Sequence, residues 1–182
     1  MNYYGAAELA ESFRVVRGNT LVIAREIPEE KYEFRAAEGI RSVGELLAHL
    51  AVASKLQTEL HAAAAASDVR GSFAGFDLRG LITRVLAEEK EARSKDELLT
   101  MLRESGERWA AAVAGFSEEF LAERVTFPAG AAPPSKTRFE MVLGVKEHEM
   151  HHRGQLMVMQ RMMGIVPHLT RALEVRNREI MK

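Results

Sequence analysis

The 182-residue chain contains no cysteine, which excludes disulfide bridges and thiolate metal ligands together. Any metal it holds must be taken by nitrogen and oxygen donors, that is, by its six histidines and its carboxylates. Charge of one sign is missing too: 25 Lys and Arg stand against 26 Asp and Glu, a net charge of −1. Without a surplus of cations nothing draws the chain onto nucleic-acid phosphates or an anionic bilayer, so neither is an expected partner. No apolar run approaches the roughly 20 residues of a membrane-crossing helix. The opening residues MNYYGAAELAESFR have neither a basic n-region nor an apolar h-region, so no secretory signal is expected and the expected location is the cytoplasm. No alternation is strong enough to mark a sheet, no internal repeat is visible, and low complexity is confined to Ala62–Ala66. Prolines are few. They stand at 28, 128, 133, 134 and 167, between segments of helical periodicity.

Hydrophobic residues make up 47% of the chain, enough for one sizeable core. Residues 6–26 place Leu9, Phe13, Val16, Thr20 and Ile23 on one stripe, and Pro28 ends that helix. The connection 28–41 is polar, with Tyr32 and Phe34 as aromatic anchors. A second helix starts at Ser42, where Ser42 and Glu45 have capping-box spacing, and runs to about Ala66. Leu46, His49, Ala53, Leu56 and Leu60 share one of its faces. His61 lies about 120° from His49 around the helix and is expected at the surface. Residues 67–77 form a glycine-containing loop, and 78–92 a short helix with Leu78, Leu81, Ile82 and Val85 inward. Ser94 and Glu97 cap a third long helix carrying Leu98, Leu102, Ser105, Trp109, Val113 and Phe116. Residues 117–136 hold three of the five prolines and read as an irregular connection. The tail, 168–182, is charged and weakly amphipathic.

The fourth long helix, Thr137–Gly164, organises the rest. Thr137 and Glu140 cap its start, Gly164 stops it and Pro167 follows. Its expected inward stripe is Met141, Val145, His148, His152, Gln155, Leu156, Met159 and Met163, with Lys146, Glu149, Arg153, Gln160 and Arg161 opposite. Imidazoles in the middle of a core stripe are costly unless each finds a partner. Two histidines at i and i+4 stand one turn apart and suit a single metal ion. His151 points roughly 90° off the stripe, which makes it a supporting or surface residue. His49, on an apolar face of a separate helix, is the best candidate for a third ligand. Four long helices with one long connection predict an all-α four-helix bundle with a short extra helix, and bundles build metal sites from facing helices.

Three functions fit these residues. An open three-histidine site suits catalytic zinc, with nickel or another divalent ion able to occupy it, activating a water or a thiol. His148-Glu149-Met150-His151-His152 satisfies H-E-x-x-H and would make Glu149 the base of a peptidase, but no metzincin-type downstream Gly and His follow and no sheet edge is in sight to align a peptide. The third is a non-catalytic metal-binding or structural bundle. Gln155 could orient a ligand or a water, and Glu45 could accept the outer N–H of a ligand histidine.

SVGELLAHLA around His49, together with EHEMHHRGQLMVMQRMMGIVP, resembles the DinB family of small metal-binding bundles over roughly residues 5–167. The resemblance implies that residues 1–167 form an up-down-down-up four-helix bundle, usually homodimeric, with 168–182 as a C-terminal extension. It implies zinc or nickel on His49, His148 and His152, and demotes the peptidase. Similar proteins include bacillithiol S-transferases and mycothiol-dependent maleylpyruvate isomerases. The implied function is a metal-dependent thiol S-transferase whose partners are a low-molecular-weight thiol and an electrophile, the latter near the 67–77 and 117–136 loops. The alternative is a hydrolase using the same site.

Overall fold

The computed structural model describes residues 4–65, 77–127 and 129–181. Its helices are α1 (Ala6–Glu26), α2 (Val43–Ala65), α3 (Leu78–Glu89), α4 (Lys95–Ala114), α5 (Glu118–Ala122), α6 (Arg138–Met162) and α7 (His168–Ile180). The three anticipated capping boxes all form: Ser42 with Glu45, Ser94 with Glu97, and Thr137 with Glu140. Each satisfies two of the amide groups that a helix start leaves without partners. Gly164, at φ 79°, closes α6. Its amide reaches the Arg161 carbonyl and that of Ile165 reaches Gln160, the paired bonds of a left-handed helix stop.

Helices α1, α2, α4 and α6 form the bundle, α1 and α2 each packing against both α4 and α6. Two apolar clusters set their directions. One joins Ile23, Leu46, Leu50, Leu98, Leu102, Leu156 and Met159. The other joins Leu9, Phe13, Trp109, Val113, Val142 and Val145. Helices α1 and α6 enter the second cluster early and the first late, whereas α4 runs the other way. Helix α2 starts in the first cluster and ends with His61 against Trp109. The order is therefore up-down-down-up. A third, smaller cluster of Val52, Leu60, Leu81 and Val85 fixes α3 on α2.

Several expectations are corrected. The 117–136 connection contains α5 and a two-stranded ribbon, Arg124–Thr126 (β1) against Ser135–Thr137 (β2); strands of three residues are too short to show alternation. The short helix ends at Glu89 rather than 92. Most of the 67–77 loop lies outside the described residues. Helix α7 forms over His168–Ile180 but buries none of its residues. The inward face of α6 is turned slightly from the expected stripe. It comprises Arg138, Val142, Val145, Glu149, His152, Leu156, Met159 and Gln160. Glu149 and Gln160 are thus core residues, Gln155 is exposed, and His148 stands at the edge.

His61 is not at the surface: it is fully buried, its ring 5.5 Å from Trp109 and 5.7 Å from Phe116. The reason is that α2 is covered on two sides, by the bundle and by α3, so leaving the face of His49 does not mean reaching water. Neither ring nitrogen has a hydrogen-bond partner among the described residues. Burial, helped by the Arg138 guanidinium, pushes its pKa down to about 4. An unfolded histidine titrates near 6.5, so the unfolded chain takes up a proton that the native one refuses. Stability is full above about pH 6.5 and falls toward pH 4, by roughly 3 kcal/mol for this residue. Urea unfolding of metal-free protein at pH 7 and pH 4.5 checks it. His61→Phe should lose markedly less stability between the two than wild type, and an unchanged loss would refute a neutral buried His61.

Candidate metal centre

Three imidazoles from two helices meet beside the first apolar cluster. His49 comes from α2, and His148 and His152 come from consecutive turns of α6. Nε2 of His148 lies 3.1 Å from Nε2 of His49 and 3.1 Å from Nε2 of His152. One ligand atom from each of the three falls within 4.8 Å of the others. Nitrogens held at 2.0–2.1 Å in a tetrahedral shell stand roughly 3.4 Å apart, so the spacing is close to what one ion requires.

The outer ring nitrogens decide how the inner ones are charged. Nδ1 of His49 is 2.9 Å from Oε2 of Glu89, at the last turn of α3. A carboxylate only accepts, so Nδ1 carries a proton, and in the neutral ring this leaves Nε2 as the lone pair. Nδ1 of His152 is 2.8 Å from Oε1 of Gln155, with the same consequence. Two lone pairs therefore aim at the third nitrogen, on His148, and a single proton there can satisfy only one of them. A cation between the three satisfies all. Burial, with the neighbouring imidazoles, pushes His148 down to about 4. Burial also lowers His152, although its bond to Gln155 opposes the shift. Both shifts favour the neutral ring on His148 and His152, the form that metal ligation needs.

Glu89 is the residue that sequence reasoning missed. Burial raises its pKa, but bonds from His49 and Arg41 outweigh that and hold it below the usual carboxylate range. Nε of Arg41 is 2.9 Å and Nη2 2.8 Å from Oε1 of the same carboxylate. The signal was faint: Glu89 is 40 positions from His49, on a helix whose charged residues look like a solvated face. Glu45, the expected acceptor, is otherwise engaged. It takes the amide of Ser42 at 2.8 Å and the guanidinium of Arg35 at 2.5 and 2.6 Å. Gln155 bonds the ring of His152 through Oε1, and its amide nitrogen stands 3.3 Å from exposed His151. Because an acceptor of this kind fixes the ring and raises its basicity, Glu89→Gln is expected to weaken Zn2+ binding about 10- to 100-fold. Glu45→Gln should change it less than about twofold. Calorimetric titration of both variants tests the assignment; equal effects would undo it.

Of the three histidines, His152 opens onto a cavity of about 910 Å3. Its apolar floor includes Leu46, Leu98 and Met159, its rim Glu33, Arg41 and Arg93, and His152, Gln155 and Glu89 line the side facing the histidines. Of the two loops expected beside the substrate, residues 67–76 lie outside the described residues. The cavity is bounded by the α1–α2 connection and the α3–α4 turn, and none of the described residues of 117–136 lines it.

Glu149, the would-be peptidase base, faces away from this cavity. It is 2% exposed, with its carboxylate on the Arg17 guanidinium at 2.7 and 2.8 Å. A base so engaged has no water to activate, and the peptidase reading falls on that geometry.

Residues 12–156 match the family model described as the DinB superfamily. Two solved structures share the fold. A DinB-like protein from Bacillus subtilis is 21% identical with a TM-score of 0.63, covering 86% of this chain and 92% of that one. A mycothiol-dependent maleylpyruvate isomerase is 14% identical with a TM-score of 0.63, covering 84% of this chain and 61% of its own length. No curated protein sequence matches. Among the described residues, no helix is long and apolar enough to cross a membrane.

Proposed function

The chain belongs to the DinB superfamily, and from that premise we propose that it is a divalent-metal-dependent enzyme of thiol-transferase type, with His49, His148 and His152 holding the ion. The observation that carries the reading is the meeting of three imidazoles, one of which, His152, lines a cavity. Three nitrogen donors with the remaining position open suit zinc, and imidazole donors suit nickel equally. A divalent ion so held supplies positive charge that favours the thiolate of a small thiol, or the hydroxide form of water, at neutral pH.

The protein's own residues do the rest. Glu89 and Gln155 hold the rings of His49 and His152 with their lone pairs inward. Leu46, Leu98 and Met159 give the apolar part of an electrophile a dry floor. The thiol is favoured over water because a protein of the same fold is a mycothiol-dependent isomerase. Hydrolysis at the same centre is the alternative. We further place the protein in the cytoplasm as a homodimer, for which Val158, Met162 and Val166, all about half exposed, offer apolar surface.

Metal analysis of the native protein, followed by a panel of small thiols with electrophiles, tests the function. One ion per chain and metal-dependent thiol consumption are expected. Metal-dependent ester or amide hydrolysis without thiol consumption would transfer the reading to the hydrolase, and neither activity would leave a binding protein. A monomer in light scattering at micromolar concentration would remove the dimer.

A further inference from the structure

Arg17 sits where a bundle ordinarily has only apolar side chains. It is 4% exposed, on α1, between the two apolar clusters. Its guanidinium touches the other three bundle helices. On α6, Nε and Nη2 donate to the two carboxylate oxygens of Glu149 at 2.7 and 2.8 Å. On α2, Nη2 donates to Ser54 Oγ at 2.6 Å and the Leu50 carbonyl at 3.2 Å. On α4, Nη1 donates to the Leu102 carbonyl at 2.6 Å and Ser105 Oγ at 3.2 Å. Every N–H of the fork has an acceptor, which is what a buried guanidinium requires. Helix α4 makes room for it with a glycine: a Cβ on Gly106 would meet Arg17 Cγ at 2.8 Å.

The contacts are placed with respect to the metal centre. Leu50 follows His49, and Glu149 follows His148. One nitrogen, Nη2, bonds to both helices at those positions. We propose that Arg17 is a positioning residue for the three-histidine centre, fixing the axial register of α2 against α6 so that His49 meets His148 and His152. This rests on the metal reading given above.

The physical reason to look beyond stability is that buried ion pairs do not excel at it. Replacing a buried pair by apolar residues of similar volume is often neutral or stabilising, and setting register is the best-attested use of such pairs. Apolar helix surfaces can pack in several slightly shifted arrangements, whereas a forked donor with assigned acceptors allows one. A metal site tolerates only about 0.5 Å of misplacement, so a small slide of α2 is enough to spoil it.

Co2+ is the probe, because its visible absorption reports the coordination geometry. Wild type should bind one Co2+ per chain; failure to do so sinks the metal reading and this inference with it. Given wild-type binding, Arg17→Met/Glu149→Met should fold with thermal stability near or above wild type, bind Co2+ at least about tenfold more weakly and give an altered absorption spectrum. Val113→Ala, which opens a cavity in the far apolar cluster, is the control: lower stability, unchanged affinity and spectrum. A double variant with wild-type Co2+ affinity and spectrum overturns the proposal while leaving the metal reading standing. So does a control that shifts the spectrum as much. If the double variant does not fold, Arg17→Lys decides. Its ammonium still neutralises Glu149 but lacks the rigid planar fork and two of its five donors, so weaker Co2+ binding with an altered spectrum supports the proposal and unchanged binding refutes it.

Discussion

Alanine at any one of His49, His148 or His152 is expected to abolish the stabilisation that Zn2+ gives the native protein, while His151→Ala leaves it intact. An ion bound only by the folded state adds its binding energy to stability. At a free concentration a hundred times the dissociation constant, that is about 2.7 kcal/mol. For a chain of this size it raises Tm by roughly 5–11 °C. One ring nitrogen of each histidine stands within 4.8 Å of those of the other two, so losing one leaves a two-ligand site. Each single variant should then show little or no Zn2+-dependent rise in Tm. His151 is exposed, with its Nε2 against the Gln155 amide nitrogen. Thermal melts of the five proteins with and without Zn2+ decide the matter. A His49→Ala protein with the full rise in Tm would remove the cross-helix site, and a His151→Ala protein without it would mean the ligand set is drawn wrongly.

Much of the architecture was legible because its signals are local. Caps at Ser42, Ser94 and Thr137 and the stop at Gly164 depend on neighbours three or four residues away, and all formed where the spacing put them. His148 and His152 could be paired because both lie on one helix. His49 could be joined to them only by elimination and resemblance, and the structure brings it to 3.1 Å from His148.

What failed depends on contacts between distant parts of the chain. Periodicity gives the direction of a helix face to within one residue or so, and a turn of that size carries Glu149 and Gln160 inward and Gln155 outward. His61 was misplaced because a helix covered on two sides has no single solvent face. Arg17 drew no notice at all. An arginine among Val16, Thr20 and Ile23 looks like an edge residue until its acceptors, 33 to 132 positions away, are known. Glu89 is the same case in the metal centre. Its role is created by α3 folding back along α2, and no motif spans the two.

Glu149→Ala is expected to destabilise the metal-free protein by about 3–5 kcal/mol, because it strands the buried Arg17 guanidinium with no counter-charge. At 2–4 °C per kcal/mol, Tm should fall by roughly 6–20 °C. Glu149→Gln should also be costly, since its amide offers one acceptor oxygen where the carboxylate offered two to the fork. These outcomes separate two roles for the same residue. A peptidase base faces solvent and substrate, and its change to glutamine removes hydrolysis while leaving stability nearly untouched. A strut between α1 and α6 behaves in the opposite way. The pair supplies an internal check, because removing both charges leaves nothing stranded. Arg17→Met/Glu149→Met should therefore be more stable than either single methionine variant, a strongly non-additive cycle of the kind expected for residues in contact. Urea unfolding of the two singles and the double measures it directly. If Glu149→Ala melts within 2 °C of wild type, or if the two single effects simply add, the carboxylate does not carry the guanidinium's charge.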